Sequence, residues 1–168
     1  MYNLALQYVQ NIEDAEEITQ DVFLSIYQSI DGFRADSKLS TWIYKITINK
    51  SIDLINKRKR KKRFAFLTSL FNLENNQLVH EPAHFNHPGV QLENKEALQK
   101  LFDLINQLPE KQKTALIFTK IEQKSQLETA EIMELSPKAV ESLVQRAKVN
   151  LQKKLTIKEG KQENKSLK

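Results

Sequence analysis

Glycine and proline are scarce along this chain, and that scarcity limits the folds it can adopt. Its 168 residues include three glycines and four prolines. A β-sandwich or β-barrel needs turn residues at intervals of about 8–12 positions, and so few glycines and prolines cannot supply them. We therefore predict an all-α protein.

The same residues indicate where the chain divides. Pro82, Pro88 and Gly89 fall in a stretch without helical periodicity that also collects asparagine and histidine, which is typical of a linker. We predict two small helical domains joined by a flexible linker. The predicted limits are 1–63 for the first domain, 64–93 for the linker, 94–156 for the second domain and 157–168 for a polar tail.

Apolar residues at helical spacing place the helices of the first domain. They predict a helix over 13–30, with acidic residues at its start, and a second long helix that begins near Leu39 and runs into a basic tract. Residues 2–9 continue the pattern and look like the end of a further helix that starts abruptly at Met1.

The second domain carries a more specific pattern. Ser125 and Glu128 have the spacing of a capping box that opens a short helix. Ser136 followed by Pro137 is typical of the N-cap and first residue of a longer helix. Two helices joined by a turn of three or four residues, the second basic in its latter half, are typical of a helix-turn-helix. An ordinary helical hairpin is the alternative.

Positive charge is concentrated in one place. The net charge of +5 includes a run of seven consecutive cations over 57–63, which we call the basic tract, whereas residues 1–56 are net acidic. Such a run is also typical of a solvated, self-repelling segment or of a nuclear-localisation-like patch. Its position at the end of an amphipathic helix favours contact with the phosphates of a nucleic acid.

Several catalytic functions are disfavoured. The chain has no cysteine for a disulfide, a thiolate metal site or a nucleophile, and three glycines cannot build a glycine-rich phosphate loop. His80 and His84 match the H-E-x-x-H pattern of zinc hydrolases, with His87 nearby, but Pro82 would break the helix that this pattern requires. We expect no enzyme activity, no cofactor and no metal.

The sequence also disfavours insertion into a membrane. The apolar runs are a few residues long, and acidic residues stand near the start of the chain, where a signal peptide would be basic and apolar. We expect a cytoplasmic protein without membrane insertion.

Aromatic residues offer a way to bind unpaired bases. Trp42 stands beside Lys45, a combination used for stacking on single strands. Because Trp42 shares the apolar pattern of its helix, we expect it in the core instead. Phe33 and Arg34 lie off the helices, where a base pocket is easier to build.

Motifs in two separate blocks together match one family. The first block contains D-A-E-E-I-T-Q-D-V-F-L at 14–24, G-F-R at 32–34 and L-S-T-W-I-Y-K-I at 39–46, followed by Asn49, Asp53 and the basic tract. The second contains L-P-E-K-Q at 108–112 and the helix-turn-helix through Arg146-Ala147-Lys148. In this order the blocks resemble regions two and four of the extracytoplasmic-function sigma factors of bacterial RNA polymerase.

The resemblance implies a function and partners. A sigma factor binds core RNA polymerase, directs it to the minus-ten and minus-thirty-five elements of a promoter, and helps to melt the duplex. Its partners would be core polymerase and promoter DNA, and the linker would thread into the polymerase. Members of the family are often held inactive by an anti-sigma factor. A free-standing helix-turn-helix transcriptional regulator is the alternative.

The resemblance also implies roles for particular residues. The surface for the polymerase clamp helices would comprise Glu17, Gln20 and Asp21. A flipped minus-ten base would be captured by Phe33, Arg34, Ala35, Asp36, Ser37 and Lys38, with Asn49 as a further base contact. Upstream phosphates would be held by Lys57, Arg58, Lys59, Arg60, Lys61, Lys62 and Arg63. The minus-thirty-five element would be contacted by Ser136, Lys138, Glu141, Ser142, Gln145, Arg146 and Lys148.

Three features depart from the family pattern. Many relatives carry Lys-Ser-Arg where this chain has Glu141-Ser142-Leu143, so one phosphate contact would be missing and Glu141 would accept from a cytosine amino group. Glu134 stands at the position of the family's turn glycine. Relatives also have another helix before the position of Met1, so that either the start is truncated or the first domain has a reduced core.

Overall fold

The computed structural model describes the backbone of residues 1–71 and 92–166 and the side chains of 1–64 and 98–156. Every regular element in these residues is helical, which confirms the all-α prediction. The chain divides into two compact units, Met1–Pro88 and Gly89–Lys168. Within the described residues, no helix combines the length and the apolar character that crossing a membrane requires.

Helices also account for the regular structure described in the first unit. They are α1 (Tyr2–Val9), α2 (Ile12–Ser29), a 3-10 turn (Ile30–Gly32) and α3 (Leu39–Phe71). The helices predicted over 2–9 and 13–30 are confirmed to within a residue at each end. The long helix predicted from Leu39 into the basic tract is confirmed as well.

A two-residue connection joins α1 to α2. Gln10 ends α1 in the left-handed region, with φ 55°, and its N–H donates to the Leu6 carbonyl at 2.8 Å. Asn11 caps α2, because its side-chain oxygen accepts the Asp14 N–H at 2.8 Å. A side-chain cap of this kind stabilises a helix by about 1 kcal/mol. The first turn of α2, which carries Asp14, is therefore held in place.

The core of the first unit lies between its three helices. In its apolar cluster the buried members come from α1 and α2, and α3 adds half-buried side chains that pack against them. The buried members are Ala5, Leu6, Ala15, Ile18 and Val22, and the contributions of α3 are Ile43, Ile46 and Leu54. Burial of an aliphatic side chain of this size stabilises the fold by roughly 1.5–3 kcal/mol.

The inner face of α3, which turns toward this core, also carries small polar side chains. Thr47 and Ser51 are fully buried. Each hydroxyl donates to the carbonyl four residues earlier, at 2.9 Å to Ile43 and at 2.8 Å to Thr47. Without such a partner a buried hydroxyl would cost about 1–3 kcal/mol. These two residues fix which side of α3 faces inward.

α3 continues beyond the predicted end of the first domain. It passes through the basic tract and ends at Phe71, so residues 64–71 of the predicted linker are helical. This stretch contains no glycine or proline, and nothing in it would stop a helix. The H-E-x-x-H pattern at His80 and His84 lies outside the described residues.

The second unit is helical as well. Its described elements are α4 (Leu92–Asn106), α5 (Glu110–Leu116), a π turn (Ile117–Ile121), α6 (Gln126–Met133) and α7 (Pro137–Ser166). α7 runs through most of the predicted polar tail, because a single glycine, Gly160, costs a helix only about 1 kcal/mol.

The π turn lies in the buried part of the second unit. Phe118 within it is fully buried, as are Ala115 and Ile117. The Glu122 N–H donates to the Ile117 carbonyl, five residues earlier, at 2.9 Å. The sequence predicts one regular α-helix through Ala115 and Phe118, whereas the structure changes from α-helical to π-helical hydrogen bonding after α5. Periodicity alone does not distinguish these two geometries over so few residues.

The predicted helix starts of the helix-turn-helix are confirmed. Ser125 Oγ accepts the Glu128 N–H at 3.1 Å, and the Glu128 carboxylate accepts the Ser125 N–H at 3.0 Å, which completes the capping box of α6. Ser136 Oγ accepts the Ala139 N–H at 3.2 Å in the first turn of α7. Residues 134–136 form the turn between the two helices.

We expect Glu134→Gly to stabilise the second unit. Glu134 lies in the left-handed region, with φ 55° and ψ 44°, where a residue other than glycine is strained by roughly 1–2 kcal/mol. Glycine removes the strain but has more freedom in the unfolded chain. The free energy of unfolding should rise by about 0.5–1 kcal/mol, as the difference between these two effects, in urea titrations followed by circular dichroism.

Glu131→Gly is the matched control for this substitution. Glu131 is exposed and lies within α6, where glycine should lower the free energy of unfolding by about 1 kcal/mol. If both substitutions destabilise the protein equally, the left-handed geometry of Glu134 imposes no strain.

Candidate nucleic-acid interface

The loop between the 3-10 turn and α3 holds six of the predicted minus-ten residues. It leaves the turn through Phe33, whose N–H donates to the Ile30 carbonyl at 3.0 Å, and Ala35 lies in the left-handed region with φ 58°. Phe33 and Ser37 are half-buried, and the exposed members are Arg34, Ala35, Asp36 and Lys38. The loop therefore presents mixed polar and charged side chains around one partly covered aromatic ring.

Phe33 packs against Trp42 in the first turns of α3. Their ring centroids are 5.3 Å apart and the ring planes are inclined by 39°. Trp42 is only half-buried, so the prediction that it belongs to the core is wrong. The reason is helical phase: Trp42 precedes the buried Thr47 by five residues, which places it about 140° around the helix. The aromatic pair lies where the loop meets α3.

The outward face of α3 comprises Asn49, Asn56, Arg60 and Arg63. These residues are spaced seven, four and three apart, which places them on one side of an α-helix, and all four are exposed. The same side carries Trp42, seven residues before Asn49. Asn49 and Arg63 are separated by about 21 Å along the axis. The face thus links the predicted base contact to the end of the basic tract.

The basic tract is divided between two sides of α3. One open surface is bordered by Asn56, Lys59, Arg60, Lys62 and Arg63, and Lys59 and Lys62 also reach the groove beside Arg58. Arg58 follows the buried Ser51 by seven residues and therefore lies on the inner side. Its guanidinium forms an ion pair with the Asp14 carboxylate of α2. The seven cations, which look equivalent in the sequence, are not equivalent in the structure.

Asp14 is almost completely buried. Its side chain is 6% exposed, against 52% for Arg58. Burial raises the pKa of the Asp14 carboxyl above its ordinary value of 3.8, while the charge and the hydrogen bond of Arg58 act in the opposite direction. The second oxygen, Oδ2, is buried and has no hydrogen-bond partner in the described residues. Arg58 is thus the main compensation for the buried charge.

The predicted polymerase surface lies on the exposed side of α2. Glu17, Gln20 and Asp21 are all exposed. Three apolar side chains follow on the same side of the helix and are exposed as well. They are Phe23, Leu24 and Tyr27, with exposed fractions of 57%, 55% and 81%.

These apolar residues are missing from the predicted site. Phe23 and Tyr27 belong to the apolar pattern of α2, but each lies one position after a residue on the core side, Val22 or Ile26, and is therefore rotated by about 100°. A cluster of exposed apolar side chains beside charged ones marks an interaction surface. The excess width of the apolar stripe is the sequence signal that could have identified it.

α7 presents the predicted minus-thirty-five residues opposite its buried side. Val140, Val144 and Ala147 are buried in the second unit. The side chains predicted to contact DNA are exposed, except Ser142, which is half-buried. The exposed ones are Ser136, Lys138, Glu141, Gln145, Arg146 and Lys148. Lys138, Ser142 and Gln145 share the side facing away from the core.

Val149 continues this side and is absent from the predicted site. It is 50% exposed and follows Gln145 by four residues. An apolar side chain in this position can contact the methyl group of thymine. The sequence signal that could have identified Val149 is its position on α7, because it does not share the helical spacing of the buried Val144 and Ala147.

The second half of α7 is attached to the rest of its unit. The Asn150 side-chain amide donates to Gln112 Oε1 at 2.8 Å, and Lys154 Nζ donates to Gln107 Oε1 at 3.2 Å. These contacts fix the rotation of α7 and with it the direction of its exposed side. Within the described residues, no three acidic or histidine side chains come together in a way that could hold a metal ion.

Comparisons with known proteins match both units of the chain to regions of the same family. Residues 1–61 match the family model for sigma-70 region 2, and residues 98–151 match the model for sigma-70 region 4. The extracytoplasmic-function sigma factor SigW of Bacillus subtilis is 30% identical over 159 residues, which cover 92% of this chain and 82% of SigW. The sigma-E factor of Haemophilus influenzae is 28% identical over 152 residues, which cover 90% of this chain and 79% of that factor.

Solved structures show the same fold. The sigma factor RpoE of Bartonella quintana, in complex with the anti-sigma factor NepR, matches with a TM-score of 0.63 at 22% identity, covering 93% of this chain and 89% of RpoE. CnrH in complex with the cytosolic domain of CnrY matches with a TM-score of 0.64 at 20% identity, covering 93% and 80%.

Proposed function

Because this chain belongs to the extracytoplasmic-function family of RNA polymerase sigma factors, we propose that it holds the minus-ten element along the outward face of α3 and contacts the minus-thirty-five element through α7. Its partners as a sigma factor are core RNA polymerase and promoter DNA. The observation that carries the proposal is the alignment of Asn49 with Arg60 and Arg63 on one exposed side of α3. The aromatic pair of Phe33 and Trp42 lies at its beginning.

The order of groups along this face supports two kinds of contact. Base edges are distinguished by side chains such as amides, whereas cations bind phosphates without regard to sequence. Phe33 would stack on an extruded base, with Trp42 supporting the ring from below. Asn49 would hydrogen-bond a neighbouring base, and Arg60 and Arg63 would hold phosphates of the duplex upstream.

The exposed side of α2 would bind the polymerase. Glu17, Gln20 and Asp21 supply negative charge, and Phe23 and Tyr27 supply exposed apolar area. Interfaces commonly place aromatic anchors inside a charged rim. A basic and apolar helical surface of core polymerase fits this combination.

The exposed side of α7 would enter the major groove. Gln145 can form two hydrogen bonds with adenine, Glu141 can accept from the cytosine amino group, and Val149 can contact a thymine methyl group. Lys138, Arg146 and Lys148 would bind phosphates on either side. The minus-thirty-five element would thus be recognised by few direct base contacts.

Sigma factors are transcription initiation factors, and we assign no catalysis to this chain. Nucleotide addition would be the work of the polymerase, and the sigma factor would act in the cytoplasm beside it.

Because the structurally similar RpoE and CnrH are seen with NepR and CnrY, an anti-sigma factor would be a further partner. A free-standing regulator is not favoured, since both sigma regions match.

The test is transcription by reconstituted holoenzyme on a randomised promoter library. We expect two enriched elements, and transcripts only when both the chain and core polymerase are present. Asn49→Ala should relax the preference at one minus-ten position, whereas Arg63→Ala should weaken all promoters to a similar extent. Gln145→Ala should relax one minus-thirty-five position.

Two results would contradict the proposal. One is a chain that fails to associate with core polymerase. The other is Asn49→Ala leaving every base preference unchanged while lowering output uniformly, which would make Asn49 a phosphate contact and remove base recognition from the outward face.

A further inference from the structure

The ion pair between Asp14 and Arg58 joins two surfaces with different proposed partners. Asp14 is in the first turn of α2, the helix with the proposed polymerase surface. Arg58 is in the basic tract of α3, 44 residues later in the sequence. Contacts so distant in sequence fix the arrangement of helices, because they form only in the folded unit.

Arg58 faces away from the proposed DNA surface. It lies two residues from both Asn56 and Arg60, which corresponds to about 200° of rotation around the helix. It is instead in phase with the buried Thr47 and Ser51 of the inner face. To reach a phosphate on the outward face, the Arg58 side chain would have to leave Asp14 and pass around α3.

A groove surrounds the pair on this inner side. Its volume is about 190 Å³, and its lining combines apolar side chains with cations. Val9, Leu54 and Ile55 form the apolar part, and Arg58, Lys59 and Lys62 form the cationic part around Asp14. A buried carboxylate that loses its cation costs several kcal/mol, so Asp14 strongly favours keeping Arg58.

We propose that Asp14 is a positioning residue for promoter binding: by holding Arg58 it withholds one cation of the basic tract from DNA. The inference rests on the proposed function of the outward face and adds to it. Three consequences follow for DNA binding. Arg60 and Arg63 bind phosphates, Arg58 does not, and removing the carboxylate releases Arg58 toward DNA.

The experiment measures the affinity of holoenzyme for a promoter fragment at several salt concentrations. Each phosphate contact contributes about 0.9 to the slope of log K against log salt. Arg60→Ala should reduce the slope by about this amount. Arg58→Ala, the matched change two residues earlier, should leave it unchanged. Asp14→Asn should increase the slope by up to about 0.9, and adding Arg58→Ala to it should restore the original slope.

Folding is monitored separately in each variant. The single tryptophan, Trp42, lies in the first unit, so its fluorescence during urea unfolding reports that unit. If Arg58→Ala does not fold, Arg58→Met removes the charge and keeps the aliphatic stem. A purely structural pair would lower the unfolding midpoint of Asp14→Asn without changing the salt slope, and that result would overturn the proposal.

The two proposals fail in different ways. If Arg58→Ala reduces the slope as much as Arg60→Ala, Arg58 contacts DNA and Asp14 does not withhold it. If Arg60→Ala leaves the slope unchanged, the outward face does not bind phosphates, and the proposed function of α3 is wrong.

Discussion

Phe118→Ala is expected to destabilise the second unit strongly while leaving the stability of the first unit unchanged. Phe118 is fully buried in the π turn, among Ala115, Ile117 and other buried side chains. Truncation of such a phenylalanine costs about 3–5 kcal/mol. The total stability of a unit of this size is on the order of 4–12 kcal/mol, so the substitution removes a large share of it.

Two spectroscopic signals separate the units in this experiment. All four tyrosines and the tryptophan precede residue 45, so intrinsic fluorescence reports the first unit, whereas circular dichroism reports the helices of both. For Phe118→Ala, helix loss should begin at much lower urea while the Trp42 transition keeps its midpoint. Transcription that depends on the minus-thirty-five element should be lost in parallel.

Leu127→Ala is the control for this prediction. Leu127 is in α6 of the same unit but is 67% exposed, and exposed substitutions usually change stability by less than about 0.5 kcal/mol. Equal shifts of both signals in Phe118→Ala would show that the units unfold together. An unchanged helix transition would show that Phe118 contributes little to the core.

Phe33→Ala is expected to block promoter opening at a step after polymerase binding. Stacking of a base on an aromatic side chain stabilises the complex by about 1–3 kcal/mol. Loss of the stack should therefore lower the equilibrium constant for open-complex formation by roughly 5- to 150-fold. The substitution also removes the ring that packs on Trp42 at 5.3 Å. Permanganate reactivity of minus-ten thymines in the holoenzyme complex measures the loss directly.

Phe33→Tyr is the matched variant, because it keeps the ring. It should stay within a few-fold of the original chain, and both variants should bind core polymerase with unchanged affinity, since the exposed side of α2 is untouched. Normal thymine reactivity in Phe33→Ala would exclude Phe33 from base capture. Weakened binding to core polymerase would place Phe33 in that interface instead.

Local signals in the sequence predicted much of the fold. Ser125, Glu128, Ser136 and Pro137 set the starts of α6 and α7 through contacts within four residues, which the sequence displays directly. The apolar periodicity of α2 likewise predicted its limits. Features of this kind depend on neighbouring residues, so spacing alone is sufficient to recognise them.

Features that depend on distant residues were not predictable in the same way. The pairing of Asp14 with Arg58 depends on how α2 packs against α3. In the sequence, Asp14 is one of eight acidic residues in 1–56 and Arg58 is one of seven cations in the basic tract, and nothing marks these two as partners. The apolar pattern places Trp42 in the core, whereas the buried side of α3 is built partly from Thr47 and Ser51, which carry no apolar signal. Phe23 and Tyr27 differ from expectation in the opposite direction, because apolar side chains predict burial and these two are exposed.

The uninterrupted length of α3 gives the proposed interface a fixed dimension. The 21 Å or so between Asn49 and Arg63 equals about six base pairs of duplex, at 3.4 Å per step. A continuous helix that contacts an unpaired base through Asn49 at one end and the paired strands through Arg63 at the other would set the upstream edge of the transcription bubble. Promoters with different upstream sequences should then open to the same distance from the base that Asn49 contacts.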